Sequence, residues 1–406
     1  MQILKAKTTL IFSIICLVTS NLFAQGDDST VVKNPNAVQA KYGSKGFEFT
    51  TNDNRFKLQI QSRLQFRFAT PSDQDPQTFD DYSEDYESVF KINRARFKVG
   101  GHAFQPWLKY YWEYDVSQSN LLDFRLMIEK WEWLNFKVGQ WKVEFTRERF
   151  ISSGKQQMVD RSILNRVFTV DRQQGIEVYG RLKGDGIADF NYWIGTFTGT
   201  GLGNGSNDDS HLMYFARGQW NFLGREVKFE GSDVDISEKP GGIIAVATVT
   251  NRSPYTRFSS GGGGSLPGFE NGDDGQYRVN QLNIETAFVY KGFSWQSELH
   301  QKEITDRLSN ASPEILHGYY GQAGYFFNQL IGWWPKPLEL AARHAGYFPD
   351  RGASDRIQHE TSLAANWFFA GHKNKLTMEI SRFDAEDLNF DYQEQWRFRI
   401  QWDISI

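Results

Sequence analysis

The chain has 406 residues, a formal net charge of −4, and an aromatic content of 13 Trp, 17 Tyr and 33 Phe. Near-balanced charge argues against a general nucleic-acid binder, which is basic overall. Beyond the first two dozen residues there is no run of about eighteen apolar residues, so a helical membrane span is excluded and a large, aromatic-rich β protein remains.

Lys5 and Lys7 precede an apolar stretch from Leu10 to Val18, then Thr19-Ser20-Asn21 and Leu22-Phe23-Ala24. This basic, apolar, small-residue layout predicts a secretory signal peptide over residues 1–24, cut between Ala24 and Gln25. Cys16, the one cysteine, lies inside it, so the processed chain is expected to hold no disulfide and no thiolate metal site. Without Lys5 and Lys7 the balance is 43 basic to 49 acidic residues, or −6. Residues 25–46 are polar and aperiodic and read as a flexible lead-in, with a single barrel domain over residues 47–406.

From Phe56 to Phe68 apolar and polar residues alternate over thirteen positions, and the last segment repeats this with Trp396, Phe398, Ile400, Trp402, Ile404 and Ile406 on one side. Period-two alternation means a strand with one greasy and one wet face. Strands of this length match a tilted bilayer crossing better than the five or six residues usual in soluble sheets.

Further strands are expected near residues 90–104, 107–117, 121–131, 133–141, 175–183, 188–199, 211–222, 241–250, 277–291, 293–302, 316–328, 336–347, 357–370, 375–384 and 392–406, sixteen with the first. Residues 225–231 would make a seventeenth. Counting them as a crossing would put the later long loops on the opposite side from the earlier ones, so residues 224–240 are taken as an extended turn. Tight turns at Gln105-Pro106, Gly184-Asp185-Gly186 and Gly292 then share the periplasmic side, opposite long loops at 69–89, 142–174, 200–210 and 251–276. The sequence therefore predicts an all-β fold, a transmembrane antiparallel β-barrel of 16 strands. Trp131, Trp133, Trp333, Trp334 and Trp402 fall near strand ends, where indoles meet lipid headgroups.

Catalytic patterns are sparse. Neither a nucleophile elbow, a phosphate-binding loop nor a paired-histidine zinc motif occurs, and the glycines at 199, 201, 203 and 205 lack the spacing of a dinucleotide loop. His300 and His317 fall on neighbouring strands without a serine or carboxylate to single them out. No enzymatic activity and no cofactor are expected.

Charge is more informative. Strict alternation turns Lys57, Arg63, Arg67, Arg94, Arg96, Lys98, Lys109, Arg125 and Lys137 inward over the first five strands, against Glu113, Asp115, Asp123 and Glu129. The next segment adds Lys142, Arg147, Arg149, Lys155, Arg161, Arg166 and Arg172 against Glu144, Glu148, Asp160 and Asp171, a net of +3. A low-dielectric lumen focuses such a field and concentrates anions; mutual pairing of the mixed charges is the alternative. The acidic loop 69–89 is expected to be solvated.

Arg94-Ala95-Arg96, Gly139-Gln140-Trp141-Lys142, Glu148-Arg149, Asp160-Arg161-Ser162, Arg172-x-x-Gly175, Glu339-x-x-x-Arg343 and the ending Trp396–Trp402 occur in an order that resembles the phosphate-selective porins O and P. Glu144 stands where that pattern is expected to carry proline. The resemblance implies a homotrimeric channel of the bacterial outer membrane whose loop after the fifth strand folds inward as a constriction. It implies small anions such as phosphate, and outer-membrane lipid, as partners, with no nucleic acid. The pore and anion-binding candidates are Arg63, Arg94, Arg96, Lys98, Lys142, Arg147, Arg149, Arg161 and Arg172. A general small-solute porin without phosphate preference, and an outer-membrane barrel enzyme, remain the alternatives. The early strands and the last strand are expected at the trimer centre, because the loop around Gln118-Ser119-Asn120 is short and Leu108, Tyr110, Trp112, Leu122, Phe124 and Leu126 point outward.

Overall fold

The computed structural model describes residues 34–82, 87–202, 207, 209–259, 263–349 and 355–406. The signal segment with its Ala24–Gln25 junction lies outside them, as do Glu84, Asp85, Gly203, Gly205, Gly261 and Gly262 of the loops.

Among the described residues eighteen strands form, in chain order β1 (Val38–Gly43), β2 (Gly46–Thr51), β3 (Lys57–Thr70), β4 (Val89–His102), β5 (Leu108–Asp115), β6 (Asn120–Ile128), β7 (Asn135–Lys142), β8 (Arg172–Lys183) and β9 (Asp189–Phe197). They continue with β10 (Met213–Trp220), β11 (Gly241–Ser253), β12 (Tyr277–Tyr290), β13 (Phe293–Asp306), β14 (Glu314–Tyr325), β15 (Leu338–Phe348), β16 (Asp355–Phe368), β17 (Asn374–Asp387) and β18 (Tyr392–Ser405). From β3 onward each strand pairs antiparallel with the next, and β18 returns to β3 with Ile400 opposite Phe68. This closes a 16-stranded barrel. Residues 225–231 form no strand, as the parity argument required.

The first two strands were not foreseen. β1 lies within the segment expected to be an aperiodic lead-in, and it pairs with β2 through the tight turn Gly43–Gly46. Its six residues are exposed or only half-buried, too short a stretch for alternation to register. β2 takes over the β3 edge below the end of β18, pairing Phe47 with Ile60, while Ile406 bonds Ser62. The hairpin thereby caps the seam of the barrel.

Burial is inverted relative to a soluble sheet. Phe124, Leu126, Val138, Ile176, Ile194, Leu363, Met378 and Trp396 are exposed, whereas Arg63, Arg67, Glu113, Glu285, Glu298, Glu379 and Arg399 are buried. An apolar outer surface is satisfied only by lipid, and the charged inner face encloses what fills the lumen. Trp131, Trp133, Trp333 and Trp402 all sit at the periplasmic end and are exposed there, one girdle at one interface.

Among the described residues the register shifts at three places, at the start of β16 between Asp355 and Ile357 and at two bulges in the early strands. Between β3 and β4, Gln65 pairs with Arg94 but Phe66 with Ile92, so Asn93 is the extra residue and Phe90 and Ile92 are swung outward. Between β5 and β6, Leu122 is the extra residue; it is buried at 5%, and Leu121 takes the outward place expected for it.

Candidate constriction

Residues 143–171 connect β7 to β8, and instead of standing above the barrel they enter it. The segment carries two short helices, α1 (Arg147–Phe150) and α2 (Leu164–Phe168). Val143, Phe145, Leu164, Val167, Phe168 and Val170 pack on Phe197, Phe215, Val249, Val279, Ile304, Leu316 and Tyr320 of the wall. The inner wall is thus not uniformly polar: the upper inward positions of β9–β14 are apolar because they receive this loop. Each buried Phe or Leu side chain contributes about 1.5–3 kcal/mol, more than the ~0.5–1.5 kcal/mol of a typical net hydrogen bond. Burial therefore docks the loop, and polar contacts set its position.

Those polar contacts come from carboxylates on the far wall. Glu298 on β13 accepts the backbone N–H groups of Arg147 and Glu148. Glu339 on β15 accepts Gln157 Nε2 at 2.7 Å, Glu379 on β17 accepts the Val159 N–H at 2.8 Å, and Glu360 on β16 accepts the Ile163 N–H at 3.0 Å. Glu360 and Glu379 are in turn gripped by Arg343 and Arg399, with Nε donating at 2.9 and 3.0 Å. Glu339 belongs to the Glu339-x-x-x-Arg343 pattern of the family resemblance; Glu298, Glu360 and Glu379 were not singled out from the sequence. Their signal was there: each occupies an inward position of a late strand, where a carboxylate without a solvating partner needs a donor.

The basic residues gather on the opposite wall. Arg63 donates to Ser152 Oγ at 2.6 Å and to Ser405 Oγ at 3.2 Å. Arg94 donates to Gln65 Oε1 at 2.8 Å and lies 3.8 Å from Asp160. Arg96 forks between Glu113 at 3.0 Å and Asp115 at 3.1 Å, and Lys98 stands 3.8 Å from Glu113. Lys142 and Arg161 both serve the α1 turn: Lys142 donates to the carbonyls of Arg149 and Phe150 at 3.0 and 2.9 Å, Arg161 to those of Glu148 and Ile151 at 3.0 and 2.8 Å. Arg149 holds Asp171 through Nε at 3.0 Å, and Arg172 holds Asp123 at 2.6 Å. Among the described residues, the guanidinium groups of Arg63 and Arg161 and the ammonium of Lys142 donate to hydroxyls and carbonyls instead of carboxylates, although the Arg161 backbone N–H donates to Asp160 at 3.0 Å. Arg147 is the exception to the grouping. It turns to the other side, donating to the Lys228 carbonyl and lying 3.7 Å from Glu285.

Loop ionisation follows from this crowding. Arg161 is lowered to about 9 by burial and then by Arg149 and Arg94 beside it. Burial would raise Asp160, but Arg94 and Arg67 outweigh it and hold the carboxyl well below its usual range. Glu148 is pushed up to about 7 by burial, against the attraction of Arg343. Glu144, at the expected proline position, accepts Lys137 Nζ at 2.6 Å and so neutralises one wall cation.

Two carboxylates of the acidic outer loop are drawn in rather than solvated, while Asp81 and Glu87 stay exposed. Asp73 pairs with Arg67 at 3.0 Å and Asp75 with Arg397 at 2.7 Å. Histidines give no catalytic arrangement: His300 is buried and stacked on Phe168 at 4.9 Å, while His317 lies on the outward face of β14. Cavities flank the basic cluster above and below. The extracellular one, about 370 Å³, is lined by Arg67, Asp160, Arg166 and Arg257; the periplasmic one, about 560 Å³, by Arg125, Lys137, Tyr179 and Trp193.

Residues 64–381 match the family described as phosphate-selective porin O and P. No curated protein matches the chain in a sequence search. Among solved structures, the outer membrane channel DcaP of Acinetobacter baumannii is 10% identical, with 88% of this chain and 99% of that one covered at a TM-score of 0.56. An anion-selective porin from Comamonas acidovorans is 9% identical, covering 86% and 99% at 0.52. The trimer form of OmpT, an outer membrane protein of Vibrio cholerae, is 9% identical, covering 86% and 99% at 0.50. At such identities the likeness speaks for the fold.

Proposed function

The chain belongs to the phosphate-selective porin O and P family, outer-membrane porin channels and not enzymes, and from this premise we propose that it is an anion-selective diffusion pore that accepts phosphate. The observation that carries the proposal is the basic cluster between the two cavities, where Arg63, Arg94, Arg96, Lys98, Lys142, Arg149, Arg161 and Arg172 face five carboxylates, Glu113, Asp115, Asp123, Asp160 and Asp171. Net charge on the whole chain is of opposite sign. Charges more than ~8 Å from a solute are screened in physiological salt, so the lumen decides selectivity. Arginine offers a planar pair of donors to an oxyanion, and lysine a mobile point charge. A row of moderate sites lets an ion enter and leave. The test is a reversal potential in a KCl gradient across a planar bilayer. Chloride is expected to permeate better than potassium, with added phosphate reducing the chloride current; a cation-selective channel would overturn the reading.

The pore works as a homotrimer in this proposal. β5, β6 and β7 have 8, 9 and 8 residues against 14 in β3 and β4. At ~3.3 Å per residue and a ~40° tilt, eight residues rise only about 20 Å, less than the ~25 Å apolar band of an outer-membrane barrel. A low wall with exposed Phe124, Leu126, Phe136 and Val138 suits contact with neighbouring barrels. The trimer form of OmpT supports the same assembly. Native mass measurement in mild detergent is expected to give three chains; a monomer alone would count against it.

A further inference from the structure

The connection between β10 and β11 spans residues 221–240, of which 224–240 were expected to form an extended periplasmic turn. It instead rises into the barrel and touches the underside of the constriction loop. The Gly231 N–H donates to the Lys155 carbonyl at 2.8 Å, and Glu230 pairs with Lys155 at 2.5 Å. Phe229 packs edge-on against Phe150 with centroids 4.7 Å apart, beneath the guanidinium of Arg147 at 5.0 Å. At Gly231 the two backbones meet so closely that a Cβ would lie 2.7 Å from the Gln157 nitrogen and 3.0 Å from the Lys155 carbonyl oxygen.

The start of the segment is tied to β8 and β9, where Glu226 accepts Arg181 at 3.1 Å and Asn191 at 2.6 Å, and its remainder is tied to the far side of the barrel. Ser232 Oγ donates to Glu339 at 2.8 Å, Asp233 accepts the Gly292 N–H at 2.8 Å, and the Lys291 N–H donates to the Ser237 carbonyl at 2.8 Å. His372, in the turn between β16 and β17, lies 3.7 Å from Glu230. These later anchors belong to β12–β13, β15 and the β16–β17 turn, the side whose wall carries Glu298, Glu339, Glu360 and Glu379. The opposite side keeps the 560 Å³ cavity beneath the basic wall, with Glu226 of the segment at its border.

We propose that residues 225–240 are a strap that closes the periplasmic mouth beneath the carboxylate wall, so that every solute is forced past the basic wall, with Phe229 and Gly231 as the specificity-determining contacts. The loop fills the upper lumen on the carboxylate side and the strap fills the space below it. The cavity that remains beside the strap is bordered by Arg125, Lys137 and Arg181 and by Glu129, Glu144 and Glu226, and in this proposal solutes reach the basic wall through it. This rests on the reading of the basic cluster as the selective element.

Phe229→Ala removes the ring under Arg147, and Gly231→Ala wedges a methyl group between strap and loop. Single-channel conductance and reversal potential of both variants are compared with wild type, barrel integrity being checked by circular dichroism and heat-dependent electrophoretic mobility. Phe229→Ala should raise conductance about twofold and lower the chloride-to-potassium permeability ratio about twofold to threefold, because the new path runs past a wall whose glutamates are matched by Arg343, Lys375 and Arg399 and which carries no surplus of positive charge to favour anions. Gly231→Ala, the milder change, should give transient openings to the same higher level. If the Phe229 variant does not assemble, the Gly231 variant decides alone; a folded channel with wild-type conductance and permeability ratio overturns the strap. A wild-type channel without anion preference sinks the functional reading instead, and the conductance comparison still judges the strap.

Discussion

Replacing Arg94, Arg96 and Arg149 together with glutamine is expected to abolish the anion preference of the pore. The cluster holds eight cations against five carboxylates, and the triple change removes that surplus of three. It also releases Asp115, which among the described residues has Arg96 as its one ion-pair partner, and strips Arg149 from Asp171. A unit charge about 4 Å from a permeating ion is worth ~1 kcal/mol even at the dielectric of water, a factor of roughly five. The permeability ratio of chloride to potassium should therefore fall at least about tenfold, allowing for screening. These three residues are chosen over Lys142 and Arg161, whose donors hold the α1 carbonyls and whose loss would disturb the loop itself. Arg382→Gln on the outer face, where Arg382 pairs with Glu394, is the control and should leave the ratio unchanged. An unaltered reversal potential in the triple variant would show that selectivity resides elsewhere.

The second large effect is on stability. Glu379→Ala should destabilise the barrel by about 3–5 kcal/mol, the usual consequence of leaving one member of a buried ion pair uncompensated. Glu379 is 2% exposed and accepts both Arg399 and the Val159 N–H, so its loss strands a buried guanidinium and unpins the constriction loop. The expected observation is a lower temperature for the heat-dependent mobility shift, together with noisier open-channel current. Glu303→Ala, on the outer face of β13, removes a carboxylate of the same strand system without touching the loop and should change neither. Equal melting behaviour of the two variants would mean that apolar docking alone fixes the loop.

The membrane crossing was legible strand by strand because the pleat repeats every two residues. Phe56–Phe68 and Trp396–Ile406 declare their greasy and wet faces without any knowledge of their neighbours, and fifteen further turns and loops follow from where that alternation stops. The inward direction of Arg63, Arg94, Arg96 and Lys98 came from the same rule. Only the folded barrel decided who faces whom. Asp115, Asp171 and Asp123 meet Arg96, Arg149 and Arg172 through strand pairings and loop returns separated by 19, 22 and 49 positions in sequence. The bulges at Asn93 and Leu122 were invisible because one extra residue hardly disturbs a pattern of types, yet it reverses the faces beyond it. Arg147 belongs to the same run of basic residues as Arg149, but a helical turn sends the two to opposite walls. The strap shows the limit most plainly: residues 225–240 have no period of their own, and their conformation is imposed by partners at Lys155, Glu339 and Gly292. Local alternation determines what a strand is, since each residue's face depends on its parity alone. The positions of aperiodic segments, and hence the route through the pore, depend on contacts made only after the barrel has closed.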